Sequence, residues 1–134
     1  MTVTAPALQP GQTYPRRILA ADDDPVIREF LSLYLSMDGV TVDTAADGED
    51  ALSRLAAGYD LLVLDLEMPG KSGFDVLRTL GPITPIPVIV LTSRTDAGAI
   101  AEAFELGATA YVLKPITKDA ITAKVSAVYM AANL

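Results

Sequence analysis

Short apolar runs alternate along this chain with longer stretches in which apolar residues return every third or fourth position. Residues 17–21, 60–65, 88–91 and 108–113 are apolar enough to form buried strands. Residues 40–45 alternate like a strand with one better-covered face. Between them lie five segments of helical period, four of them opened by a capping residue. Asp24 precedes Pro25, and Ile27, Phe30, Leu31, Tyr34 and Leu35 form an inward stripe that runs towards Gly39 as the stop. Asp47 with Asp50 opens the second helix (Ala51, Leu52 and Leu55 inward, Gly58 at the end), and Ser72 with Asp75 opens the third (Phe74, Leu77 and Leu80 inward). Gly81-Pro82 ends that helix and a proline-stiffened loop over 83–87 follows. Residues 96–106 form the fourth helix, with Ile100, Ala103 and Phe104 inward. Thr117 caps the fifth, with Ile121, Val125 and Val128 facing the core.

Five strand–helix repeats predict an α/β domain with a parallel sheet, right-handed crossovers and helices on both faces. Residues 1–16, with Pro6, Pro10, Gly11 and Pro15, show neither period and are expected to be a loose tail before a domain over 17–134. In open parallel sheets ligands bind beyond the carboxyl ends of the strands. Asp22 and Asp23, Asp65, Thr92 and Lys114 all fall at such ends, so the topology brings them to one rim.

Composition narrows the chemistry available there. The 134 residues include no cysteine and no histidine, which removes disulfides, thiolates, histidine triads and the usual zinc ligands. Any phosphohistidine involved belongs to another protein. A formal charge of −7 opposes contact with nucleic-acid phosphates or anionic lipid. No apolar run approaches the roughly twenty residues needed to span a bilayer, and the N-terminus lacks the apolar core of a signal peptide, so the cytoplasm is the expected location.

Three carboxylates in one cleft repel and call for a cation. A hard divalent ion with oxygen ligands fits, and magnesium leaves positions open for water and phosphate oxygens. A carboxylate beside magnesium can attack phosphorus and form an aspartyl phosphate. Lys114 then offers a positive charge, and Thr92 a hydroxyl, to the phosphoryl oxygens. Taken singly, each residue has a structural explanation: an acidic run can be a capped turn, a strand-end Thr can bond the backbone, a lone Lys can be surface. Four strand–helix boundaries each supplying a suitable group argue for the site.

The segments Ile18 to Pro25, Leu62 to Gly73, Val88 to Ser93 and Tyr111 to Pro115 resemble the receiver domain of bacterial two-component response regulators, over about residues 17–131. The resemblance implies a flavodoxin-like, doubly wound (βα)5 sheet with strand order 2-1-3-4-5. It implies Asp65 as phosphoacceptor, with Asp22 and Asp23 serving magnesium and Asp65 and the backbone carbonyl of Glu67 completing its protein ligands. Lys114 would pair with the phosphoryl group, and its bond to Pro115 would be cis. Thr92 would move towards the phosphate, with Tyr111 as the aromatic switch that turns inward. The donor would be a phosphohistidine on a sensor histidine kinase or histidine phosphotransfer protein.

Output is expected from the face built by residues 96–131, whose Ala97, Ala99, Ala101 and Ala123 allow close approach by a target or a second copy; equally, these alanines favour helix. Glu67 and Arg94 flank the site, and their pairing across its mouth would slow the attack of water on the phosphoryl group. The chain ends about where the fifth helix ends, so it is expected to carry no output domain of its own. Two rivals are a magnesium-dependent phosphohydrolase using an aspartyl phosphate, and a flavin or nucleotide module. The first would need a cap to hold its substrate, and the second lacks a glycine-rich phosphate loop after the first strand. A protein-interaction module that needs no phosphorylation is a further alternative.

Overall fold

The computed structural model describes residues 14–81 and 86–133. The ten elements follow in the order expected: β1 (Arg17–Ala21), α1 (Pro25–Leu35), β2 (Thr41–Ala45), α2 (Gly48–Leu55), β3 (Leu61–Asp65), α3 (Gly73–Leu80), β4 (Val88–Thr92), α4 (Ala97–Glu105), β5 (Ala110–Leu113) and α5 (Lys118–Ala132). The strands form one parallel sheet in the order β2-β1-β3-β4-β5.

Strand periodicity sorts the core into two layers, because successive side chains leave opposite faces. Ile18, Ala20, Leu61, Val63, Ile89 and Leu91 pack against Leu31 and Leu35 of α1 and Ile121, Val125 and Val128 of α5. Leu19, Ala21, Leu62, Leu64, Val88 and Val90 meet Ala51 of α2, Val76 and Leu77 of α3, and Ala103 of α4. Every residue of β3 and β4 is buried, as a central strand covered on both sides requires.

The expected caps form, and one more with them. The side chains of Asp24, Asp47 and Thr117 each accept a first-turn amide, Ser72 with Asp75 completes a reciprocal capping box, and Asp96 caps α4 in the same way. Gly81 closes α3 with a φ of 88°, a conformation that a side chain would resist.

Four expectations need correction. Helix α1 ends at Leu35, with Ser36 as its C-cap, before Gly39 is reached. Phe30 and Phe104, assigned inward, are 40 % and 43 % exposed. On α4 the inward stripe is Ala99 and Ala103, so Ala99 packs into the core instead of being open to a target or second copy. Two residues expected in the loose tail are packed: Tyr14 is 7 % exposed and joins the α1–α5 layer, and Pro15 is buried. The rest of the expected tail, residues 1–13, and residues 82–85 of the Pro82 stop and the proline-stiffened loop lie outside the described residues.

Candidate functional site

The rim follows from the alternation within the strands. Asp22 extends the parity of Ile18 and Ala20, and its N–H donates to Ala45 O at 3.1 Å, so the ladder continues one residue past β1. Asp65 extends that of Leu61 and Val63, and Lys114, which donates its N–H to Thr92 O at 2.9 Å, that of Val112. All three therefore project on the α1–α5 side of the sheet, where they meet. The Lys114 ammonium lies 2.9 Å from Asp22 Oδ2 and 3.4 Å from Asp65 Oδ1. Thr92 extends the opposite parity, that of Val88 and Val90.

Each carboxylate is positioned locally. Asp22 is fully buried; its Oδ1 accepts the Asp24 N–H at 3.0 Å, and Arg28 of α1 donates to its carbonyl oxygen at 2.8 Å. Asp65 is 3 % exposed, and its Oδ1 accepts the Glu67 N–H at 3.3 Å. Asp23 is exposed and completes a group with Asp22 and Asp65 in which one oxygen from each lies within 4.8 Å of the others. Burial, then the charge on Asp22, push the Asp65 carboxyl up from 3.8 to about 6, against the pull of Lys114 and the Glu67 amide. For Lys114, burial works to lower the pKa, but the two carboxylates outweigh it and raise it.

The donor set suits magnesium. It consists of three hard oxygen donors with one cation between two of them. Apart from the Lys114 ammonium beside it, the buried Asp22 Oδ2 has no hydrogen-bond partner. Asp22, Asp23 and Asp65 would hold the ion, and the Glu67 amide contact keeps that residue's backbone next to Asp65.

Thr92 is 1 % exposed, and its Oγ1 accepts the Arg94 N–H at 2.9 Å. Tyr111 points outward, 37 % exposed, edge-on to Phe104 at 6.1 Å. The Lys114–Pro115 bond is cis, as expected. Glu67 and Arg94 do line one cleft of about 420 Å³, together with Asp23, Met68 and Phe74. Their expected ion pair is replaced by another: Arg94 is held by Asp96, Nε to Oδ1 at 3.1 Å and Nη2 to Oδ2 at 3.2 Å. Asp96 is only two residues away and already fixed as the α4 cap, so the short loop favours it over Glu67 across the cleft.

Three contributors were missed in the sequence. Arg28 sits one turn into α1 on the side of the Asp22 loop, a spacing that could have flagged it. The sequence marks Asp96 only as a helix start. Gly73 allows α3 to begin against the end of β3: a Cβ there would lie 2.3 Å from Asp65 O and 2.7 Å from Leu66 Cα. A glycine directly after the cap Ser72, where helix propensity disfavours it, was the available signal.

The sheet order and the acidic rim have the arrangement that a two-component receiver domain would show, and comparison with known proteins gives the family. The chain belongs to the response regulator receiver domain family, whose model matches residues 18–126. Such domains are signalling modules. Among curated relatives, the transcriptional regulatory protein ResD of Bacillus subtilis is 34 % identical over 123 residues, covering 91 % of this chain and 51 % of that protein. AfsQ1 of Streptomyces coelicolor, also named a transcriptional regulatory protein, is 40 % identical over 112 residues, 83 % of this chain and 50 % of that one. The chain thus spans about half the length of the curated relatives it matches. Among solved structures, the Vibrio cholerae chemotaxis protein CheY4 superposes with a TM-score of 0.77 at 30 % identity, covering 84 % of this chain and 97 % of that one. The BeF3-activated DrrB receiver domain gives 0.77 at 31 %, covering 85 % and 97 %.

Proposed function

We propose that this receiver domain accepts a phosphoryl group on Asp65 from a phosphohistidine donor, in a magnesium-dependent reaction, and signals through a protein-binding face that the modification alters. The observation that carries this is the buried Asp65 carboxylate with Asp22, Asp23 and the Lys114 ammonium gathered around it.

In the transfer, a carboxylate oxygen of Asp65 forms the new bond to phosphorus as the bond to the donor imidazole nitrogen breaks. Lys114, held between Asp22 and Asp65, moves its charge onto a phosphoryl oxygen without a large displacement. The Thr92 hydroxyl accepts from Arg94 but keeps its own proton to donate. Bound magnesium would neutralise the charge that develops on the phosphoryl oxygens.

Release of Thr92 towards the phosphoryl group frees space for Tyr111, now outward against Phe104, to turn in; that difference is what a target or a second copy reading residues 96–131 would sense. The donor is a sensor histidine kinase or phosphotransfer protein, and the working compartment is the cytoplasm. No helix among the described residues is long and apolar enough to cross a membrane. The net charge of −7 argues for protein rather than nucleic acid as the direct contact of these residues. DNA binding is in the printed name of some relatives, such as MtrA of Mycolicibacterium smegmatis, and is said of proteins of which this chain covers about half.

The test is intact-mass analysis after incubation with acetyl phosphate and magnesium. One phosphoryl adduct on the wild type, absent from Asp65→Asn and from a magnesium-free sample, is the expected result. No adduct on the wild type would remove the reading.

A further inference from the structure

The loop between β4 and α4 carries an unbroken line of hydrogen bonds from the rim to a helix end. Thr92 Oγ1 accepts the Arg94 N–H at 2.9 Å; the Arg94 guanidinium grips the Asp96 carboxylate through two bonds at 3.1 and 3.2 Å; and Asp96 Oδ2 accepts the Ala99 N–H at 3.0 Å. Asp96 is the junction, holding the first turn of α4 and the side chain of Arg94 with one carboxylate. Arg94 also lines the cleft that contains Asp23 and Glu67. That cleft is acidic, and a phosphoryl group on Asp65 would make it more so. A free guanidinium would be drawn across its mouth, and Asp96 competes for it.

We infer that Asp96 is a positioning residue that keeps Arg94 off the mouth of the cleft and so sets the lifetime of the phosphoryl group on Asp65. While the two are paired, water reaches the phosphorus between Glu67 and Arg94. Without the Asp96 carboxylate, Arg94 closes that approach and hydrolysis slows. The inference rests on the reading of Asp65 as phosphoacceptor.

Four proteins test it: wild type, Asp96→Ser, Arg94→Ala and the double variant, each phosphorylated with acetyl phosphate and magnesium, freed of donor and followed by intact mass. Serine is a good helix cap but too short to hold Arg94, so α4 keeps its first turn. Asp96→Ser should lengthen the half-life by about two- to fivefold, the range open to an exposed ion pair. The same change made in the Arg94→Ala background should have no effect, and Asp96→Asn, which keeps a cap and one neutral acceptor, should fall between Asp96→Ser and wild type. A half-life that is unchanged or shortened in Asp96→Ser, or that lengthens equally in both backgrounds, overturns the inference and leaves Asp96 as a cap alone. A wild type that takes up no phosphoryl group overturns the reading of Asp65 and this inference with it.

Discussion

Asp65 is held at a cost. Its carboxyl titrates near 6 in the folded chain, mainly because it is buried and next because Asp22 is charged. Because the folded value is the higher one, the folded state binds the extra proton between pH 3.8 and about 6, and stability falls as pH rises through that window. The shift corresponds to about 3 kcal/mol when complete. Asp65→Asn should therefore raise the stability of the metal-free protein by about 2–3 kcal/mol above pH ~7 and by almost nothing near pH ~4, as measured by urea unfolding in chelator. An equal gain at both pH values would assign the effect to packing. Magnesium should stabilise the wild type and do little for the variant, since only the former gains relief of charge. At this scale the sequence was informative about residue type and silent about partner choice. Asp22, Asp65 and Lys114 converge because each extends the same strand parity. Arg94 had two acidic candidates, Glu67 and Asp96, and only the course of the short loop decided between them.

At the scale of elements, the five strand–helix repeats were legible because each strand is short and apolar and each helix opens on a capping side chain. Phase within a helix was less so. Along α4 nearly every residue from Ala97 to Phe104 is small or apolar, so the periodic pattern has no polar face to fix its rotation. The small Ala99 and Ala103 turned inward and Phe104 outward. Tyr14 escaped notice for a similar reason, since prolines and glycine dominate the stretch before β1. One tight join between elements is at Gly73, where α3 starts against Asp65 and Leu66. Gly73→Ala should push the end of β3 from the start of α3 and destabilise by about 2 kcal/mol or more. It should also reduce phosphoryl uptake, because the carbonyl it strikes belongs to Asp65. Full stability by urea unfolding would show that the helix start can slide.

Over the whole molecule, the core and the face proposed for output occupy different places. The central strands carry the core, so Ile89→Ala or Leu91→Ala should cost about 2–5 kcal/mol in urea unfolding. Phe104→Ala and Tyr111→Ala, on the face proposed for output, should each cost about 1 kcal/mol or less, because both residues are over a third exposed and the two rings meet edge-on. Comparable losses at all four positions would place the two rings in the core and remove them from the output face.

Among the described residues, β2 and β5 each have one edge without a paired strand. Edge strands invite pairing with another chain, and short or charged edges resist it. β2 carries Thr41, Asp43 and Thr44, with Asp43 bound by Tyr59 OH at 2.6 Å and facing Arg17 at 3.9 Å, so a strand docking there would meet a fixed charge. β5 has only four residues to offer, but two of them, Tyr111 and Leu113, are exposed. The strand that carries Tyr111, on the face proposed for output, is therefore the less protected edge, and its four residues limit the length over which another chain could pair with it.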